Sequence, residues 1–183
     1  TQSRSSAASD VYKRQASFTV AQSVASNASL NAGGIAGKSR GEGASIVSCS
    51  NNGSVNAYAR IAGGSSALRI GGITGVASGT LNDCSTGEKL LVVSTDASRT
   101  VYCGGIAGYS TAAVSDCVNA QPISNTLYRS GDAVYSEYTG GIAGYQASGS
   151  IKGCTNRGSM ISASNQQYLY ICLLYTSDAA DDL

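Results

Sequence analysis

The chain of 183 residues carries 23 Gly, one Pro, no His and no Trp, and its formal net charge is +1. Only 13% of its residues are charged, about half the usual share of a soluble domain, so neither a nucleic-acid patch nor an attraction to anionic membrane is expected. No apolar run approaches the roughly 20 residues of a membrane-spanning helix. Without His there is no Ser–His or Cys–His pair for nucleophilic catalysis.

The two ends are related through their DNA. Residues 5–15 can be encoded by a string whose reverse complement, read one base in, translates as Cys-Leu-Leu-Tyr-Thr-Ser-Asp-Ala-Ala-Asp. That is the sequence of residues 172–181. The string resembles the transposase adapter of short-read sequencing libraries. Residues 1–15 and 172–183 are therefore expected to be non-native tails, set aside from the fold, with Cys172 no natural cysteine. The expected domain is residues 16–171, cut at both ends, with a further Gly-Gly-Ile-Ala-Gly expected after Tyr168-Leu169-Tyr170-Ile171.

Residues 16–32 alternate loosely through Phe18, Val20, Val24 and Leu30 and read as the tail of an earlier repeat. Then one motif recurs: Gly33-Gly34-Ile35-Ala36-Gly37, Gly71-Gly72-Ile73-Thr74-Gly75, Gly104-Gly105-Ile106-Ala107-Gly108 and Gly140-Gly141-Ile142-Ala143-Gly144. The copies start 38, 33 and 36 residues apart, a period that signals a solenoid, propeller or array. Each copy is followed by a turn, then an aliphatic residue three positions before a cysteine: Ile46 and Cys49, Leu81 and Cys84, Val114 and Cys117, Ile151 and Cys154. Asn and Gly often come next. Two β-rich runs around a polar turn lead to the next copy, as at Ile123–Tyr128 and Ala133–Tyr138 around Ser130-Gly131-Asp132. This pattern predicts three or four short strands per repeat and no helix. The glycine pairs are expected to allow positive φ and close backbone approach. Asn and Gly after the cysteine are expected to close the next corner in left-handed conformations.

Such repeats bury apolar surface only by stacking. The predicted fold is all-β: a parallel β-solenoid (β-helix) of about four repeats of 33–38 residues, starting near residues 33, 71, 104 and 140. Ile35, Ile73, Ile106 and Ile142 would form one inward ladder. Ile46, Leu81, Val114 and Ile151 would form a second, and Cys49, Cys84, Cys117 and Cys154 a third. The alternative is a propeller-like array of small antiparallel blades.

The consensus Gly-Gly-Ile-Ala-Gly-x-x-x-Gly-x-Ile-x-x-Cys-x-Asn-x-Gly, fullest from Gly140 to Gly158, resembles the GLUG-type repeat of large bacterial surface proteins. The second copy lacks the Asn, and the third lacks the terminal and the middle Gly. The resemblance implies an exported, extracellular or cell-surface protein of gut-dwelling or other anaerobic bacteria. It implies a non-catalytic repeat segment acting as a structural stalk or adhesive surface, with host glycans, host proteins or other surface proteins as partners. The alternative is a carbohydrate-active β-helix, or a repeat region flanking a secreted protease.

The remaining chemistry is sparse. The four ladder cysteines lie 33 to 37 residues apart, unlike the close pairs of zinc sites. A column of small buried side chains is the first reading; disulfides between stacked neighbours are the second, and a metal the last. Cys103 lies outside the ladder. Gly-Gly-Ile-Ala-Gly is not a dinucleotide fingerprint and no helix follows it, so no cofactor and no metal is expected. The carboxylates Glu42, Asp83, Glu88, Asp96, Asp116, Asp132 and Glu137 are scattered and read as solvated turn residues, with only Asp83 and Asp116 sharing a repeat position. Tyrosines concentrate in the second half (Tyr102, Tyr109, Tyr128, Tyr135, Tyr138, Tyr145, Tyr168, Tyr170). Tyr109 and Tyr145 share a repeat position and are expected to stack, either as half-buried strand residues or as a binding face.

Overall fold

The computed structural model describes residues 13–14, 18–24, 29–41, 43–61, 67–97, 100–128, 136–164 and 168–172. The tails of residues 1–12 and 173–183 lie outside the described residues, as do Glu42, Ser130, Asp132 and Tyr135. Among the described residues there is no helix. Every strand pairs in parallel with its counterpart in the neighbouring repeat. The fold is a parallel β-solenoid, and antiparallel blades are ruled out.

Each repeat contributes one strand to each of five sheets, one or two more strands than the composition suggested. The first sheet holds Leu30–Gly33, Leu68–Gly71, Val101–Gly104, Ser136–Gly140 and Tyr168–Cys172. After the Gly-Gly-Ile corner comes the second, with Ala36–Ser39, Thr74–Ala77, Ala107–Ser110 and Ala143–Gln146. The third contains Ser45–Val47, Thr80–Asn82, Val114–Ser115 and Ile151–Lys152. The fourth contains Lys13–Arg14, Ser50–Asn51, Ser85–Thr86, Val118–Asn119 and Thr155–Asn156. Phe18–Val24, Val55–Ile61, Leu91–Ala97, Ile123–Tyr128 and Met160–Ser164 form the fifth. The extra strand arises because the segment around each cysteine is not one run. A left-handed residue directly before the cysteine splits it: Ser48 (φ 51°), Asp83 (52°), Asp116 (54°) and Gly153 (61°).

The predicted ladders form. The Ile73 N–H donates to the Ile106 carbonyl at 3.0 Å, and the Ile106 N–H to that of Ile142 at 2.9 Å. Those three side chains are fully buried, whereas Ile35 in the first repeat is half-buried. Leu81 pairs with Ile46 and Val114, and Val114 with Ile151. Together with Cys84, Cys117, Ala107 and Ala143 these fill one apolar core, between the second and third sheets. A second core lies between the fifth and first sheets, around Val55, Leu68, Ile70, Leu91, Val93, Val101, Ile123 and Leu127.

A polar seam separates the two cores. Asn51, Thr86, Asn119 and Asn156 stand in register in the fourth sheet. The Thr86 hydroxyl donates to Asn119 Oδ1, and Asn119 Nδ2 donates to Asn156 Oδ1 at 2.8 Å. Asn51 Nδ2 donates to the Gly72 carbonyl at 2.8 Å. The asparagine side chains also close their own corners: the N–H groups of Gly53, Gln121 and Gly158 donate to Oδ1 of Asn51, Asn119 and Asn156 at 3.0, 3.0 and 3.2 Å. Asparagine therefore serves this corner through its amide, and not through the left-handed backbone expected of it.

The motif glycines likewise serve by lacking a Cβ, since the positive-φ glycines are Gly41, Gly43, Gly149 and Gly153. A Cβ on the second glycine of the first three pairs would strike the seam: Asn51 at Gly34, Thr86 and Gln121 at Gly72, Asn119 at Gly105. On the third glycine it would strike first-sheet backbone: Ala32 N at Gly75, Ile70 N at Gly108, Cys103 N at Gly144. Overpacking a rigid site costs about 1–3 kcal/mol and sometimes more. Gly105→Ala is expected at or beyond the top of that range, because backbone and a bonded amide both stand in the way. Urea unfolding of the variant measures the loss.

Candidate interaction surface

Residues two before each Gly-Gly pair alternate with buried neighbours, so the pleat turns them outward. Arg69, Tyr102, Tyr138 and Tyr170 are in register there. Val76, Tyr109 and Tyr145 are in register on the second sheet. The two columns meet above the Gly-Gly-Ile corner. Tyr102 and Tyr138 stack at 5.2 Å between ring centroids, Tyr138 and Tyr170 at 4.7 Å, and Tyr109 and Tyr145 at 5.7 Å. Between columns the rings meet edge to face, Tyr102 with Tyr109 at 5.3 Å and Tyr138 with Tyr145 at 5.2 Å. The Arg69 guanidinium sits 5.9 Å from the Tyr102 ring and 5.3 Å from the Tyr109 ring, within reach of a cation–π attraction. Burial, then the neighbouring Tyr138, pushes the Tyr102 phenol above its ordinary range despite Arg69.

Tyr109 and Tyr145 thus stack as their shared position predicts, but within a patch of five rings. The shared offset of Tyr102 and Tyr138 from Gly-Gly is the sequence signal that finds the rest. Tyr102, Tyr109 and Tyr138 are half-buried, while Tyr145 and Tyr170 are 39% and 50% exposed. A cavity of about 450 Å³ opens beside the exposed pair, lined also by Tyr138, Gln146, Leu169 and Ile171.

Two other clusters are internal. The ladder cysteines are all free thiols; Cys84 and Cys117 are buried and Cys49 and Cys154 half-buried. The Cys117 N–H donates to Cys154 Sγ at 3.4 Å, and the Cys117 thiol donates to the Ser115 carbonyl at 3.2 Å. The neighbouring Cys117 thiol is the main reason Cys84 and Cys154 are each lowered to about 7, while Cys117 itself is pushed far up. Burial, then the Cys84 charge, raises Cys49. Cys103 is buried in the other core, where desolvation and then Glu137 push its thiol up. Glu137 is fully buried, against the expectation of a solvated turn residue. Its Oε1 accepts from Asn125 Nδ2 at 2.8 Å, Thr139 Oγ1 at 2.9 Å and Ser162 Oγ at 2.7 Å, and its Oε2 has no partner among the described residues. Strand alternation from Tyr138 would have placed Glu137 inward. Asp83, Glu88 and Asp116 are exposed, and Ser48 Oγ donates to Asp83 Oδ2 at 2.8 Å. Among the described residues no group of three or more His, Cys, Asp or Glu is placed to hold a metal.

In the fourth repeat the five strands from Ser136–Gly140 to Met160–Ser164 complete one round of these ladders. Residues 135–161 match the family model of the GLUG motif. The matched residues span most of one round of the solenoid: the first-sheet strand, the glycine corner, the aliphatic and cysteine ladders, and the asparagine seam. The three earlier repeats place their residues on the same ladders. No curated protein and no solved structure matches the chain.

Tyr102 contacts three rings and Arg69, whereas among the described residues Tyr170 stacks on Tyr138 alone. With aromatic pairs worth about 0.5–1.5 kcal/mol beyond burial, Tyr102→Ala is expected to cost about 2–4 kcal/mol and Tyr170→Ala about 1 kcal/mol, read by urea unfolding. The cysteines predict a pH effect. A group lowered on folding contributes stability above its unfolded value and loses it as pH falls through its folded value. With Cys84 and Cys154 lowered from 9.0 to about 7, stability is expected to rise between about pH 7 and pH 9. Urea midpoints across that window measure it, and Cys154→Ser should flatten the rise.

Proposed function

We propose that the chain is a non-catalytic repeat segment of an exported surface protein, in which GLUG-type rounds form a stalk and the tyrosine columns form an adhesive face. The observation that carries this reading is the five-ring patch with Arg69, held outward in register on a hydrogen-bonded frame. Aromatic side chains with a polar tip and a guanidinium are the groups enriched at contact surfaces. Export and surface location rest on the resemblance of the repeats, which the match of residues 135–161 supports at the level of the motif.

The stacking decides what the face can offer. Rings of one column lie 4.7–5.7 Å apart with interplanar angles of 7–20°, so neighbours occupy most ring faces. The patch presents ring edges, phenol hydroxyls and the open flank of Tyr145 and Tyr170. Such a surface suits hydroxyl-rich glycans or an extended protein segment, bound by hydrogen bonds along a regular row. It does not suit sugars sandwiched against each ring in turn.

A glycan array and a panel of host surface proteins probed with the chain test this reading. Binding is expected, and Tyr170→Ser, which removes a single ring contact, should weaken it roughly tenfold, about 1.4 kcal/mol, with unfolding stability lowered by only about 1 kcal/mol. Binding to nothing, or binding indifferent to Tyr145 and Tyr170, would remove the adhesive role and leave the stalk.

A further inference from the structure

We propose that Cys154 and Cys117 are a redox pair that closes into a disulfide between neighbouring rounds by exchange with a small-molecule disulfide. The register places them together. Ser115 pairs with Lys152, and Val118 with Thr155, on either side of the two cysteines. Neighbouring strands lie about 4.8 Å apart, inside the roughly 4.4–6.8 Å Cα separation that a disulfide spans. Cys154 Sγ leans towards the earlier round, 3.4 Å from the Cys117 nitrogen and 3.6 Å from the Val114 carbonyl oxygen. The backbone before Cys154 turns at Gly153, the one such corner built on glycine, where small adjustments meet least resistance.

Access assigns the roles. Cys84 and Cys117 are 1% and 0% exposed, so neither meets an external reagent directly. Cys154 is half-buried, and its thiol is lowered to about 7, chiefly by the neighbouring Cys117 thiol, so the thiolate nucleophile is populated near neutral pH. Cys49 is also half-buried, but burial raises its thiol. The Cys154 thiolate attacks one sulfur of the external disulfide, breaks its S–S bond and releases one thiolate. That thiolate takes the Cys117 proton as Cys117 Sγ attacks Cys154 Sγ in the mixed disulfide, which releases the second thiolate. Two protein thiols are oxidised and one external disulfide is reduced to two thiols, which take up the two protons.

The full chain, reduced and freed of reductant, is incubated near neutral pH with oxidised glutathione, digested without reduction and mapped by mass spectrometry. The expected product is a cross-linked peptide pair carrying Cys117 and Cys154. Cys117→Ser should instead accumulate glutathione on Cys154, and Cys154→Ser should leave Cys117 a free thiol. A circular dichroism spectrum matching the parent's establishes that each variant is folded. Wild-type protein that keeps both thiols, holds glutathione stably on Cys154, or links Cys154 to a cysteine other than Cys117 overturns the proposal.

Discussion

The contact on which the other ladders depend is the meeting of the second motif glycine with the asparagine seam. Gly34, Gly72 and Gly105 come so close to Asn51, Thr86 and Asn119 that no Cβ fits between them. That approach draws the first-to-second-sheet corner onto the fourth sheet and pinches the cross-section into two lobes. The Ile, Leu, Val and Cys ladders fill the two lobes. A buried amide left unpaired would cost about 1–3 kcal/mol, so the asparagines serve only because each also satisfies corner N–H groups. Where Thr86 replaces asparagine, its hydroxyl donates to Asn119 and accepts from the Ala120 N–H at 3.2 Å, and the seam continues.

Once the corner is fixed, parallel register makes position within the repeat equivalent to position on the surface. This explains why chemistry collects in columns. Tyr109 and Tyr145 meet because they share an offset from the glycines, and Cys117 lies between Cys84 and Cys154 for the same reason. The columns also couple neighbours. Cys117 lowers the thiols on both sides of it, and Arg69 lies over two rings.

Much of this was legible in the sequence. Four spaced copies of one motif identified the solenoid and three of its ladders, since stacking leaves a residue few other places to go. What escaped was what depends on tertiary closeness. Composition could not separate two short strands divided by a left-handed Asp83 or Asp116 from a single run. Glycine suggested backbone freedom, whereas here it supplies room, and which of the two applies depends on what stands opposite. Asparagine suggested a turn conformation, whereas its amide does the work. Glu137 looked solvated because carboxylates usually are, yet strand alternation fixed its direction, and Asn125, Thr139 and Ser162 donate to it inside.

The direction of the hydrogen bonds has a mechanical consequence. In a parallel solenoid they run along the long axis, each round bonded to the next. A pull on the two ends therefore loads them in tension and not in shear, and the outermost round carries the force first. Such a rod would yield by peeling, one round at a time. Its toughness would come from the number of rounds and from any covalent tie between them, more than from the strength of a single core.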